Sequence, residues 1–212
     1  MLMTFAVGHL ALAYFAGKLF SKATGVEMNI PLVLAVSILP DVDLFLEPLL
    51  RHGGPTHSLF LLIIVFIPAI LIWKKATIPY IAAAASHSLL GDYLTRSVNT
   101  TGVQLFFPLT SDWFSAGSEE LGLTYVYSEM ALFIIFLSLL FTTRDVKALV
   151  RNHPSNWLLG IPLFTLVLPV LTGIPTQVPI ELFAPHLALI VLLTVPILVD
   201  VKHLIHAQSH IT

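Results

Sequence analysis

No cysteine occurs among the 212 residues, which excludes disulfides, thiolate zinc sites, iron–sulfur clusters and a cysteine nucleophile. Charge is almost as scarce. Asp, Glu, Lys and Arg make up 10% of the chain, against roughly 25% in soluble domains, so a water-soluble globular domain is excluded. Ten basic and twelve acidic residues give a net charge of −2, too near neutral for a nucleic-acid partner. The apolar content of 57% and mean hydropathy of +0.91 exclude disorder. There is no repeat of fixed period, no low-complexity tract and no hydrophilic linker, so residues 1–212 read as a single integral membrane domain.

What the chain has is apolar runs, at about 2–17, 30–46, 58–73, 78–94, 123–143, 156–172 and 180–199. A helix needs about 20 such residues to cross about 30 Å of hydrocarbon. The expected fold is therefore all-α, a polytopic membrane helical bundle of about seven spans. The second run is the weakest, because only ten residues, Ile30 to Leu39, precede Pro40-Asp41-Val42-Asp43; a kink or a partly re-entrant segment is expected there. The first run reads as a mature helix. Nothing basic precedes it, and Lys18 and Lys22 follow it, the wrong polarity for a secretion signal. Eight of the ten basic residues lie in alternate loops: Lys18 and Lys22, Lys74 and Lys75, Arg144, Lys147 and Arg151, and Lys202. Short basic loops stay in the cytoplasm, which puts the N-terminus outside and the C-terminus inside.

An ionisable side chain in a membrane helix is costly, so each one needs a reason. In this frame His9, His87 and Glu129 sit roughly 8–11 Å below the outer surface, and Asp41 and Asp43 fall near the same level. His57 and Asp92 close the set at the outer ends of the third and fourth runs. Each residue alone has a plainer role: an interhelical hydrogen bond for a histidine, an interfacial carboxylate for Glu129, a solvated turn for Asp41 and Asp43. Together they are harder to pair off without cations, since only Arg51 and Arg96 stand near that layer.

Imidazole and carboxylate suit zinc, with manganese or iron as alternatives, and the lack of sulfur removes the soft metals. Two carboxylates one residue apart can serve neighbouring ions. A bound divalent cation lowers the pKa of water from 15.7 to about 7, and a multi-metal site is a common clamp for a phosphoester.

At Gly8-His9-Leu10, Leu39-Pro40-Asp41-Val42-Asp43, His52-Gly53-Gly54-Pro55-Thr56-His57-Ser58, Ser86-His87 through Asp92-Tyr93-Leu94-Thr95, Gly102-Val103 and Phe107-Pro108, the chain resembles the YdjM family. That family is described as inner-membrane-bound, predicted metal-dependent hydrolases distantly similar to zinc-dependent phospholipase C and the P1-type nucleases. The motifs lie within residues 1–110. By position the resemblance implies His9, Asp41, Asp43, His52, His57, His87 and Asp92 as metal-site residues, with Asp41 and Asp43 also catalytic. Glu129 is a further candidate from its depth alone. Two departures stand out. The family usually has arginine where this chain has Gly53, and Arg51 or Arg96 is the expected substitute in substrate binding. The family's histidine and aspartate of the fourth span are usually four apart, whereas His87 and Asp92 are five apart, about 140° around a regular helix. A bulge at Gly91 would restore their alignment.

The leading expectation is a membrane-embedded metal-dependent hydrolase, holding one to three divalent ions, zinc first and manganese as the alternative. Its site would face the extracytoplasmic side and act on a phosphoester of a lipid or lipid-linked substrate. The alternatives are a proton- or metal-ion-coupled transporter, which predicts polar residues through the whole depth of the membrane, and a non-catalytic scaffold with a structural metal.

Overall fold

The computed structural model describes residues 5–46, 48–95, 102–116, 122–174 and 177–209. Among them the chain is all-helical, with one isolated antiparallel bridge between Val103 and Phe114. Helix α1 (Ala6–Thr24) ends at Gly25, whose φ of 66° lets the chain turn sharply. Helix α2 (Ile30–Val36) starts on Asn29, whose side chain accepts the Leu32 N–H at 2.9 Å, with Pro31 in the first turn. Near Pro40 the chain leaves the α form and continues as a 3-10 helix, Leu39–Phe45. The break expected at Pro40-Asp41 is present, and α2 itself, seven residues or about 10 Å long, is too short to cross a membrane.

Helix α3 (Leu59–Trp73) is capped by Ser58 Oγ, which accepts from the amides of Phe60 and Leu61. At Lys74, with φ of 51°, the chain reverses and re-enters as α4 (Ile78–Ser86). The two helices form a hairpin that brings His57, just before α3, back beside His87, just after α4, their ring centres 5.3 Å apart. A π-helical stretch, His87–Asp92, and the turn α5 (Tyr93–Thr95) complete this arm. The remainder is α6 (Gly122–Thr142), the short α7 (Asp145–Leu149), a 3-10 segment Pro154–Leu159 leading into α8 (Gly160–Thr172), and the long α9 (Ile180–Ser209).

Four stretches are long and apolar enough to cross a membrane: Leu59–Thr95, Leu123–Thr142, Pro154–Thr172 and Ile180–Ala207. Seven apolar runs thus give fewer qualifying stretches, for identifiable reasons. The first stretch contains two runs folded at Lys74, α2 is cut short by Pro40, and α1 carries His9, Lys18 and Lys22.

Helix α1 lies at the centre, packed on α2, α4 and α6. Its Leu10 and Tyr14 join Leu34, Phe136, Leu140 and Leu193 in the main apolar core. Helix α3 buries no residue completely and presents Ile63, Val65, Leu71 and Trp73 outward, as a lipid-facing helix does. At the end of the bundle where α1 finishes, Lys18 donates to Asp145 and Tyr14 Oη donates to the same carboxylate at 2.6 Å. Burial works against ionisation of Asp145, but these two donors outweigh it and hold its carboxyl below the usual range.

Candidate metal centre

The other end of α1 begins the site. His9, one turn in, is buried, and its ring stacks on His87 from the end of α4 with centres 3.6 Å apart and planes 9° from parallel. Two protonated rings would repel in that arrangement; two neutral ligating imidazoles would not. The π-helical turn decides where Asp92 falls. With i→i+5 bonding, residues five apart share a face, and Asp92 Oδ2 stands 3.3 Å from His87 Nε2. The bulge expected around Gly91 is therefore real, and the five-residue spacing is compatible with one site.

The 3-10 helix after Pro40 buries Asp41 and Asp43, because its threefold repeat turns these two residues, separated by one, toward different partners of the same interior. Asp41 Oδ1 lies 3.1 Å from His87 Nε2 and 3.8 Å from His57 Nε2. Asp43 takes the Nδ1 edges: Oδ1 is 2.7 Å from His52 Nδ1, which Asp41 Oδ1 also approaches at 4.0 Å, and Oδ2 is 3.2 Å from His57 Nδ1. Asp43 Oδ2 also accepts from Thr56 Oγ1 at 2.7 Å and from the Gly53 amide at 3.0 Å.

A single pattern runs through these contacts. The Nδ1 atoms of His52 and His57 are held by Asp43, and Nδ1 of His87 by the Ser37 carbonyl at 2.6 Å. With Nδ1 so occupied, Nε2 is the atom each ring would offer to a metal, which is how outer groups commonly orient metal-binding histidines. His57 Nε2 is 2.9 Å from Asp92 Oδ2 without hydrogen-bond geometry. Two ligand atoms each about 2.1 Å from one zinc ion, at a tetrahedral angle, stand about 3.4 Å apart, close to the 3.1 Å and 3.3 Å that separate His87 Nε2 from Asp41 Oδ1 and Asp92 Oδ2.

Two sets of donors converge: His9, Asp41, His87 and Asp92 in one, and Asp41, His52 and His57 in the other, all buried and with donor atoms within 4.8 Å of one another. Asp41 belongs to both. Among the described residues no lysine or arginine forms an ion pair with these carboxylates. A buried, sulfur-free set of converging imidazoles and carboxylates fits a divalent cation of the zinc or manganese kind.

The sequence motifs and this cluster agree with a wider match. The YdjM inner membrane protein family covers residues 3–178. The chain belongs to that family. No curated protein and no solved structure matches it. The YdjM match reaches past the motif-bearing half and takes in α6, which carries Glu129.

Glu129 stands outside both donor sets. Its Oε1 accepts from the Phe5 amide at 3.2 Å and from Tyr125 Oη at 2.8 Å, so it fastens the start of α1 to α6. Glycine at position 8 makes room for it, since a Cβ there would lie 2.7 Å from Glu129 Cδ. Gly8→Ala is expected to push this carboxylate away, shift His9 and lower bound metal per protein, at a stability cost of about 1–3 kcal/mol. Gly160→Ala, where an added Cβ meets nothing within 4 Å, is the control; elemental analysis of the purified variants reads the difference.

Gly53, the position for which the resemblance implies arginine, has φ of 82°, a region side-chain-bearing residues rarely adopt. That conformation accompanies the hydrogen bond that the Gly53 amide donates to Asp43 Oδ2. Arg51 is exposed at the rim with its guanidinium 5.3 Å from the centre of the Trp113 ring; Arg96 lies outside the described residues. The segment 102–116 clamps the His52–Ser58 stretch: the Gln104 amide donates to the Gly53 carbonyl at 2.8 Å, and the Leu59 amide to Leu105 at 3.0 Å. Three supporting groups escape a search for ligand types: Thr56, the Ser37 carbonyl and Tyr125. Thr56 lies inside the quoted motif; the other two carry no local signal.

Proposed function

We propose that this YdjM protein is a membrane-embedded, metal-dependent hydrolase acting on the phosphoester of a lipid or lipid-linked molecule, with its site open to the extracytoplasmic side. The observation that carries the reading is the sharing of Asp41 by two donor sets, the arrangement of a two-ion centre. Such ions, when bound, supply an activated water and neutralise charge developing on phosphoryl oxygens. The chain's own part is geometric. Asp41 holds the two halves of the site together, Asp43 and the Ser37 carbonyl lock the imidazoles, and Arg51 at the rim is placed to draw in a phosphate. Asp41 is also the most accessible of the donors, with 12% of its side chain exposed against 2% or less for His9, His52, His57, His87 and Asp92.

The surroundings of that opening favour a lipidic substrate. Leu39, Val42, Phe45 and Leu49, flanking Asp41 and Asp43 in sequence, are all exposed, so the chain beside the carboxylates is apolar where a soluble phosphoesterase would be polar. Transport is less well supported. On α1 the buried residues between His9 and Lys18 are Leu10, Ala11, Ala13, Tyr14 and Gly17, and on α4 those between Tyr80 and Ser86 are Ala83 and Ala84, which leaves little polar path through the middle.

The test is hydrolysis by protein in detergent supplied with zinc or manganese, following phosphate or headgroup release from phospholipids, lipid pyrophosphates and simple phosphodiesters. Release by the wild type no faster than by Asp41→Asn across all three classes would end the hydrolase reading. The sidedness rests on the placement of basic residues. Ser115→Cys should react with an impermeant thiol reagent in intact cells and Ala148→Cys should not; the reverse labelling would turn the site toward the cytoplasm.

A further inference from the structure

At the end of the bundle away from the metal centre, a cavity of mixed lining meets an almost wholly apolar one. On α4 the side chain that joins them, Tyr80, is seven residues or about 10 Å from His87. One cavity, of about 380 Å³, sets the polar groups of Asn29, Tyr80, Arg151, His153 and Ser155 beside an apolar part that includes Met28. The other, of about 460 Å³, is lined by Leu32, Val36, Phe66, Ala69, Trp73 and Ala76. Glu27 and Tyr80 line both, so the two adjoin.

The polar wall is fixed by bonds that leave donors facing outward. Asn29 Nδ2 donates to Ser155 Oγ at 2.9 Å, and the Asn29 amide donates to Tyr80 Oη at 2.9 Å, so the tyrosine hydroxyl keeps its own proton to give. His153 Nδ1 accepts the Ser155 amide at 3.2 Å, which places the ring proton on Nε2. Arg151 and Glu27 line this same cavity, yet no ion pair joins them to each other or to any other described residue, in contrast to Lys18 and Asp145 nearby. An unpaired cation and an unpaired anion lining one cavity, with an apolar cavity attached, describe the complement of a zwitterionic amphiphile.

We infer that these joined cavities bind an amine-bearing phospholipid, with its phosphate on Arg151, Tyr80 and His153, its ammonium on Glu27 and an acyl chain along Phe66, Ala69 and Trp73. Guanidinium and neutral N–H and O–H donors suit a phosphate ester. The carboxylate of Glu27 discriminates for a headgroup amine and against a purely anionic headgroup. Tyr80 and Trp73 are the residue types that occupy the membrane–water interface, where such a headgroup sits. The site is independent of the metal centre and of any hydrolysis there.

Native mass spectrometry of the delipidated full-length protein in detergent tests this, with phosphatidylethanolamine and phosphatidylglycerol of matched acyl chains supplied at equal concentration. The wild type is expected to retain one phosphatidylethanolamine several-fold more than phosphatidylglycerol. Glu27→Gln, an exposed and nearly isosteric change, should erase that preference while keeping binding; Arg151→Ala should lower retention of both lipids; Ala69→Trp, which fills the apolar cavity, should do the same. Glycerophosphoethanolamine, the headgroup without chains, should not be retained. Equal retention of the two lipids by the wild type overturns the inference, as does wild-type retention by Glu27→Gln and Arg151→Ala, both of which alter surface side chains and leave the fold in place. Retention of the chain-free headgroup would assign the polar cavity to a soluble ligand and overturn the lipid assignment.

Discussion

Asp41→Asn should reduce phosphoester turnover by well over a hundredfold while the protein remains folded and membrane-inserted. Asparagine keeps the size of the side chain and one oxygen acceptor, so the packing of the 3-10 helix after Pro40 is retained, but the negative charge shared by both donor sets is gone. Asp43→Asn supplies the comparison. Its carboxylate touches Nδ1 of His52 and His57, the Gly53 amide and Thr56, and belongs to neither donor set. Losses of about 10–100-fold follow when a group that orients a ligand is altered. A graded result, with Asp41→Asn far below Asp43→Asn and both below wild type, is therefore expected from headgroup release measured with zinc or manganese present. Equal losses in the two variants would remove the distinction drawn between holding an ion and holding a ring.

The same pair shows how far the sequence reaches. That Asp41 and Asp43 belong to one site with His9, His57, His87 and Asp92 is legible from their common depth in apolar runs, because charge in a membrane is too costly to be incidental. Which of the two carboxylates joins both donor sets is not legible, since it depends on the 3-10 repeat of Leu39–Phe45 and on where the His52–His57 segment folds back. His52 entered only through the family resemblance; at the sequence level it stands in a loop, and the fold buries it against Asp43 and His57. The π-helical turn is an intermediate case: a five-residue separation of His87 and Asp92 can serve one site only with an extra residue in the turn, and Gly91 marks where. Glu129 reads from depth as one more candidate ligand, yet its place is one turn of α1 away, where it secures Phe5 and leaves space only for glycine at position 8. The run count reads the bundle coarsely. It finds the longer helices, misses α7, and has no means of seeing that Lys74 takes a positive φ and folds two runs into a hairpin, or that α2 stops after seven residues.

His57→Ala and His87→Ala should each lower bound metal, and by different routes. His87 belongs with His9, Asp41 and Asp92, and His57 with Asp41 and His52. Removing either imidazole strips one set of a neutral nitrogen ligand while the other set keeps its full complement, because Asp41 serves both. Each single variant is therefore expected to retain a share of the wild-type metal, and the double variant almost none. Alanine leaves a cavity in either case. At position 87 it also frees the Ser37 carbonyl and unstacks His9, so His87→Ala should lose more metal and more thermal stability than His57→Ala, with about 1–3 kcal/mol at stake from the orphaned carbonyl alone. Elemental analysis per mole of protein, on samples shown to be monodisperse in detergent, gives the stoichiometry. If both single variants bind as much metal as the wild type, these histidines return to the role of hydrogen-bonding residues between helices, and the two-ion arrangement on Asp41 goes with them. If instead one single variant already empties the site, the donor sets are not separable and Asp41 and both imidazoles serve one ion.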